Sequence, residues 1–178
     1  ATLLNVGMML PPVAVGLFVF LLLSRQGPFG SLSLLYSSTA MIIAEFFIAA
    51  PVIGAITMSG VASVPKDVRI QALGLGASRW QSTMLVIREA RVTLLSAIVA
   101  GFGAAISEVG AVMMVGGNLS TGGHNQTGTM TTATMALVRQ GEYARAMAFA
   151  IILLLLALII TFVLTRTQQG IRRRWLQS

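Results

Sequence analysis

Between Ala1 and Ser24 the chain carries no charged residue. That constrains folding more than any other feature, because a hydrocarbon core of about 30 Å takes about 20 apolar helical residues. Helix also satisfies its own backbone where water is absent. Three further runs follow. Leu32 to Val64 holds one charge, Glu45; Val92 to Val115 holds Glu108; Ala146 to Thr165 holds none. Only 10% of the 178 residues are charged and 56% are hydrophobic, against about a quarter charged in soluble domains. No segment alternates like a lipid-facing strand. The expectation is an all-α membrane protein, one transmembrane domain over residues 1–178. It has four spans, at about 4–24, 32–60, 88–115 and 144–166.

Prolines modulate these spans. Pro11-Pro12 removes two backbone donors and should bend or break the first run, and a kink is expected near Pro51. Residues 116–128 are rich in Gly, Thr and Asn, and Met130 to Val138 reads as a short helix or re-entrant piece. The chain starts at Ala1, with no basic n-region or cleavage site ahead of the first run, so that run does not read as a signal peptide. An amino-terminal part of the natural protein is expected to precede it. There is no cysteine, hence no disulfide framework.

The net charge of +7 does not point to nucleic acid, because the basic residues flank the spans. Lys66, Arg69, Arg79, Arg88, Arg91, Arg166, Arg172, Arg173 and Arg174 fall on one side, and Arg25, Arg139 and Arg145 on the other. Nine against three sets the topology, since short cytoplasmic loops are enriched in Lys and Arg. Residues 64–82 and the carboxyl terminus are therefore expected to be cytoplasmic.

Residues 64–82 form a charged island among apolar runs. Pro65 suits a first helical position, and a short helix can run from it through Leu73. Gly74 and Gly76 then permit the backbone angles of a sharp turn. Ser78 and Gln81 have capping-box spacing, so a second helix is expected to start at Ser78 and continue into the third span. Helix, turn, helix would present Arg69, Gln71 and Leu73 to a partner.

Ala72-Leu73-Gly74-Leu75-Gly76-Ala77-Ser78-Arg79-Trp80 resembles the "EAA" loop of binding-protein-dependent ABC importer permeases. That family's pattern is Glu-Ala-Ala, three residues, Gly, nine residues, then Ile-x-Leu-Pro. The chain keeps Ala72 and Gly76, with Ile70-Gln71 where Glu-Ala is usual and Arg88-Glu89 where Leu-Pro is usual. Asp67 or Gln71 is the substitute available for the missing glutamate. Gly101-Phe102-Gly103, Ile106-Ser107-Glu108-Val109-Gly110-Ala111, Met113 to Asn118 and Thr129 to Ala133 are similar to the oxyanion branch, tungstate permeases above all, then molybdate.

The resemblance implies a type I (MetI-like) helical bundle in the inner membrane, its first helix preceding Ala1. It implies a homodimer, cytoplasmic ABC ATPase subunits that carry ATP and Mg, and an extracytoplasmic oxyanion-binding protein. No cofactor is then bound by this chain. The ATPase-coupling residues would be Asp67, Arg69, Gln71, Ala72, Leu73, Gly74, Gly76, Ala77, Ser78 and Arg79. The translocation path would involve Glu108, Asn118, Thr131 and Thr132. Tungstate is the expected cargo, with molybdate or sulfate as alternatives.

Other readings weigh against some of these residues. A carboxylate inside a span is a functional candidate by default, yet Glu108 facing a dianion would repel it, so a structural role is preferred there and for Glu45. Thr131, Thr132 and Thr134 could line an anion path or simply bond back to their own helix. His124 lacks a metal-spacing partner. No P-loop, nucleophile–base pair or catalytic carboxylate pair is present, so the chain is expected not to be an enzyme. A gradient-driven secondary transporter and a non-transporting scaffold remain as other classes.

Overall fold

The two prolines at positions 11 and 12 divide the first apolar run into two helices. In the computed structural model, which describes residues 2–117, 120–121, 124–125 and 127–175, α1 is Thr2–Met9 and α2 is Pro12–Leu23. Pro12 takes the first helical position, where its absent N–H costs nothing. A 3₁₀ turn at Gly30–Leu32 leads to α3 (Ser38–Ala62), which passes through Pro51 as one element. Then come α4 (Lys66–Gly74), α5 (Arg79–Glu89), α6 (Arg91–Ser107) and α7 (Gly110–Gly116). A short antiparallel ribbon, β1 (Ser120–Thr121) with β2 (His124–Asn125), precedes α8 (Met130–Arg139) and α9 (Tyr143–Trp175).

The fold is thus an all-α membrane bundle. α3 and the Tyr143–Thr167 part of α9 are each long and apolar enough to cross a bilayer. α5 and α6 meet the same test together but are bent by 62° at their junction, and α2 is a shorter apolar helix. The third run, read as one span over 88–115, is not one helix. It breaks at Ala90, where ψ opens to −3°, and again at Glu108, which is extended at φ −83°, ψ 124°. The helix starting after Ser78 therefore ends at Glu89 and meets α6 at the Ala90 bend instead of continuing straight into it.

Lipid supplies little drive for helices to associate, so close approach at small residues matters. α3 and α6 run antiparallel and interlock at two glycines. A Cβ on Gly60 would lie 2.6 Å from Thr93 Cγ2, and one on Gly101 would strike Ile53. Extending that register brings Glu45 level with Glu108. α2 and α7 touch still more intimately, for a Cβ on Gly16 would sit 2.6 Å from the Ala111 Cα. Val19 and Leu23 of α2, Ala40 and Ala44 of α3 and Val115 of α7 make the core where these three helices meet. The Tyr36 N–H donates to the Val115 carbonyl at 2.8 Å, which fastens the end of α7 to the loop before α3.

Candidate functional site

The charged island folds as an elbow of α4 and α5. Pro65 stands one place before the helix, as its cap. At the other end the Gly76 N–H donates to the Leu73 carbonyl at 3.0 Å and the Ala77 N–H to the Ala72 carbonyl at 3.0 Å. This is a Schellman stop, which needs a left-handed residue, and Gly76 supplies it at φ +88°. Gly74 has no such duty: it ends α4 in helical geometry, with nothing within 4 Å of an added Cβ. α5 then starts in the expected capping box. Ser78 Oγ accepts from the Gln81 N–H at 3.2 Å, and the Ser78 N–H donates to Gln81 Oε1 at 2.8 Å.

Asp67, Arg69, Gln71, Leu73, Ser78 and Arg79 are exposed, Ala77 is half-buried, and Ala72 is buried. The residue that joins the two arms was not anticipated. Ser82 is 0% exposed, and its hydroxyl donates to the Arg69 carbonyl at 3.4 Å. A bond that long is weak, so the side chain's size matters more than its hydroxyl. The available signal was a small residue one turn past the cap, on the same face as Ser78.

Ser82→Ala is therefore expected to leave the elbow nearly unchanged. Ser82→Leu should cost about 1–3 kcal/mol through overpacking. Thermal unfolding and protease cleavage within residues 64–82 of the detergent-purified protein would check this; a leucine variant as resistant as the alanine one would refute it.

The second candidate is a hollow of about 330 Å³ between α3, α6, α8 and α9, where Glu45, Glu108, Thr129 and Thr131 sit among apolar side chains including Phe102 and Leu153. Leu153 lies ten residues into α9, so the hollow is about 15 Å along that helix from Tyr143. Glu108 ends α6, and its Oε1 accepts the Ala111 N–H at 3.0 Å, capping α7. Glu45 Oε2 is buried and has no hydrogen-bond partner among the described residues.

Thr129 caps α8 in a second box: its Oγ1 accepts from the Thr132 N–H at 3.2 Å, while its N–H donates to Thr132 Oγ1 at 2.8 Å. Thr132 is fully buried and committed to that cap. Thr131 lines the hollow, its hydroxyl 2.7 Å from that of Thr129. Thr134 bonds back to the Met130 carbonyl at 2.8 Å. Of the four path residues read from sequence, Glu108 and Thr131 meet at the hollow, Thr132 supports it from behind, and Asn118 lies outside the described residues. Thr129 was missed, although Thr-x-x-Thr is itself a cap spacing. No group of three or more metal-ligating side chains occurs among the described residues.

Glu108→Gln keeps an acceptor oxygen for Ala111 and should retain transport. Glu108→Leu removes the cap at a cost of about 1 kcal/mol and should lower the yield of folded protein. Abolished transport in a folded, assembled Gln variant would show that the negative charge itself is required.

An apolar bundle, an exposed helical elbow and a mainly apolar hollow that carries two carboxylates and two threonines suit a transport component. Residues 1–174 match the family of binding-protein-dependent transport system inner membrane components, and the chain belongs to it. It is a multi-pass permease subunit, not an enzyme. It is similar to a probable anion ABC transporter permease of Haloferax volcanii, 42% identical, covering 87% of this chain and 67% of the relative. Tungstate uptake system permeases of Peptoclostridium acidaminophilum (41% identical, 91% of this chain, 69% of the relative) and Campylobacter jejuni (32%, 86% and 62%) are also similar. The chain spans about two thirds of the length of these relatives.

Proposed function

We propose that the chain is the membrane-spanning subunit of an ATP-driven importer for a tetrahedral oxyanion, tungstate in the first place. The elbow is the observation that carries the ATP-driven part. Its two short helices are locked by a Schellman stop at one side of the turn and a capping box at the other. Such a rigid handle suits transmission of force from a nucleotide-hydrolysing partner. The likeness to tungstate permeases supports the cargo.

In this reading the elbow and carboxyl terminus are cytoplasmic, as the Lys and Arg distribution favours. Two copies of the chain enclose the path, each engaged by an ATPase that carries ATP and Mg, and an extracytoplasmic receptor delivers the anion. Closure of the ATPases presses α4 and α5 and swings α6 through the bend at Ala90. At the hollow, the amino-terminal end of α8 and the Thr129 and Thr131 hydroxyls offer neutral donors and a favourable helix dipole to a passing dianion. The Glu108 carboxylate is turned onto the α7 amide.

The test is uptake into proteoliposomes containing the chain, its ATPase and receptor. Tungstate accumulation should require ATP and be blocked by vanadate. Accumulation driven by an ion gradient without ATP would overturn the reading in favour of a secondary transporter. Stronger competition by molybdate or sulfate than by unlabelled tungstate would reassign the cargo.

A further inference from the structure

The elbow's charge is lopsided. Lys66, Arg69, Arg79 and Arg88 are exposed and form no ion pair among the described residues, while Asp67 is the one exposed carboxylate within residues 66–88. With the half-buried Glu89 that ends α5, the two arms hold four cations against two carboxylates, an excess of two. Exposed apolar groups stand among them: Leu75 is 90% exposed at the turn and Trp80 is 74% exposed beside it. Between the arms lies a hollow of about 350 Å³, lined by Ala72, Ala77, Trp80, Met84 and Leu85, with Arg88 on its wall.

A concave, mainly apolar seat with Gln81 and the Arg88 guanidinium on its wall, and with Arg79 exposed one residue before Trp80, is shaped for a protruding side chain flanked by carboxylates. A flat lipid surface would satisfy the cations but would not fill the seat. We infer that the surface docking on this elbow is acidic: an apolar side chain of the ATPase enters the hollow, and its carboxylates pair with Arg79 and Arg88. This rests on the proposed function and adds the chemistry of the partner. The chain then contributes the positive half of the coupling contact, and Asp67 is not its principal charge.

The experiment uses the reconstituted complex, with the ATPase identified as the co-purifying chain photolabelled by azido-ATP. Wild type is compared with Arg79→Gln/Arg88→Gln, with Arg79→Glu/Arg88→Glu, and with Arg139→Glu at the far end of the bundle. All three positions are exposed, and matched thermal unfolding confirms folding. Charge reversal should weaken ATPase retention by about tenfold or more, neutralisation by less, and Arg139→Glu not at all. Wild-type retention should fall with added salt and be equal in vesicles of zwitterionic and of anionic lipid. Equal retention by all variants at low and high salt would overturn this inference alone. So would retention that follows the anionic lipid content, which would assign the arginines to headgroups. A wild-type complex that holds no azido-ATP-labelled chain would overturn the proposed function as well.

Discussion

Gly76→Val is expected to uncouple ATP hydrolysis from uptake while the complex still assembles. Nothing lies within 4 Å of a Cβ built on Gly76, so the added side chain meets no wall. The penalty is purely conformational. A residue at φ +88° pays roughly 1–2 kcal/mol for the left-handed region when it is not glycine, and a β-branched residue fares worse. The turn can escape by rotating to negative φ, which breaks the Gly76 and Ala77 bonds that end α4. The two arms would then lose their fixed angle, and with it the stiffness that force transmission needs.

Gly74→Ala is the control, since Gly74 is helical and equally unobstructed. It should behave as wild type or be slightly more stable. Uptake per ATP hydrolysed in proteoliposomes reads the effect, with a fall of about tenfold expected for valine. Coupled uptake at the wild-type ratio in the valine variant would count directly against the elbow as a force-bearing part.

Gly16→Val is expected to have the largest effect on the bundle itself. Its Cβ would fall 2.6 Å from the Ala111 Cα and 2.8 Å from the Ala111 Cβ. Neither atom can turn aside as the end of a flexible side chain would, so α2 and α7 must separate. The core of Val19, Leu23, Ala40, Ala44 and Val115 lies on the same seam and would loosen with it. Overpacking costs typically 1–3 kcal/mol, and displaced backbone places this site at about the upper end of that range. Gly103→Ala, where nothing lies within 4 Å, should be silent. Unfolding midpoints of the two purified variants would separate them; equal midpoints would mean that α2 and α7 do not depend on this approach.

What could be read from sequence was local chemistry. Pro11-Pro12 cannot continue a helix, Gly76 tolerates a left-handed angle, and Ser78 with Gln81 closes a capping box within four residues. Each carries its own signal, and each recurs in the structure. The breaks at Ala90 and Glu108 carry none, because alanine and glutamate are good helix formers. At Glu108 packing decides: Ala111 must meet Gly16, and the Glu108 side chain compensates by capping α7. The hollow was only half legible for a related reason. Glu45, Glu108, Thr129 and Leu153 come from four helices, and no spacing along the chain announces that they converge. Ser82 likewise becomes notable only once Arg69, thirteen residues earlier, is seen across from it.

α7 is fastened at both ends, by the Glu108 carboxylate at its start and by the Tyr36 amide at its finish. It also lies against α2 and α3, so these three helices form one block. The hairpin of α8 and α9 forms another, and its main attachment to the rest is through α6. The hollow is situated where those blocks meet, lined by Glu45 of α3 and by Thr131 of α8. Under the proposed function, a few degrees of relative rotation between the blocks would change the width of this hollow before disturbing any helix.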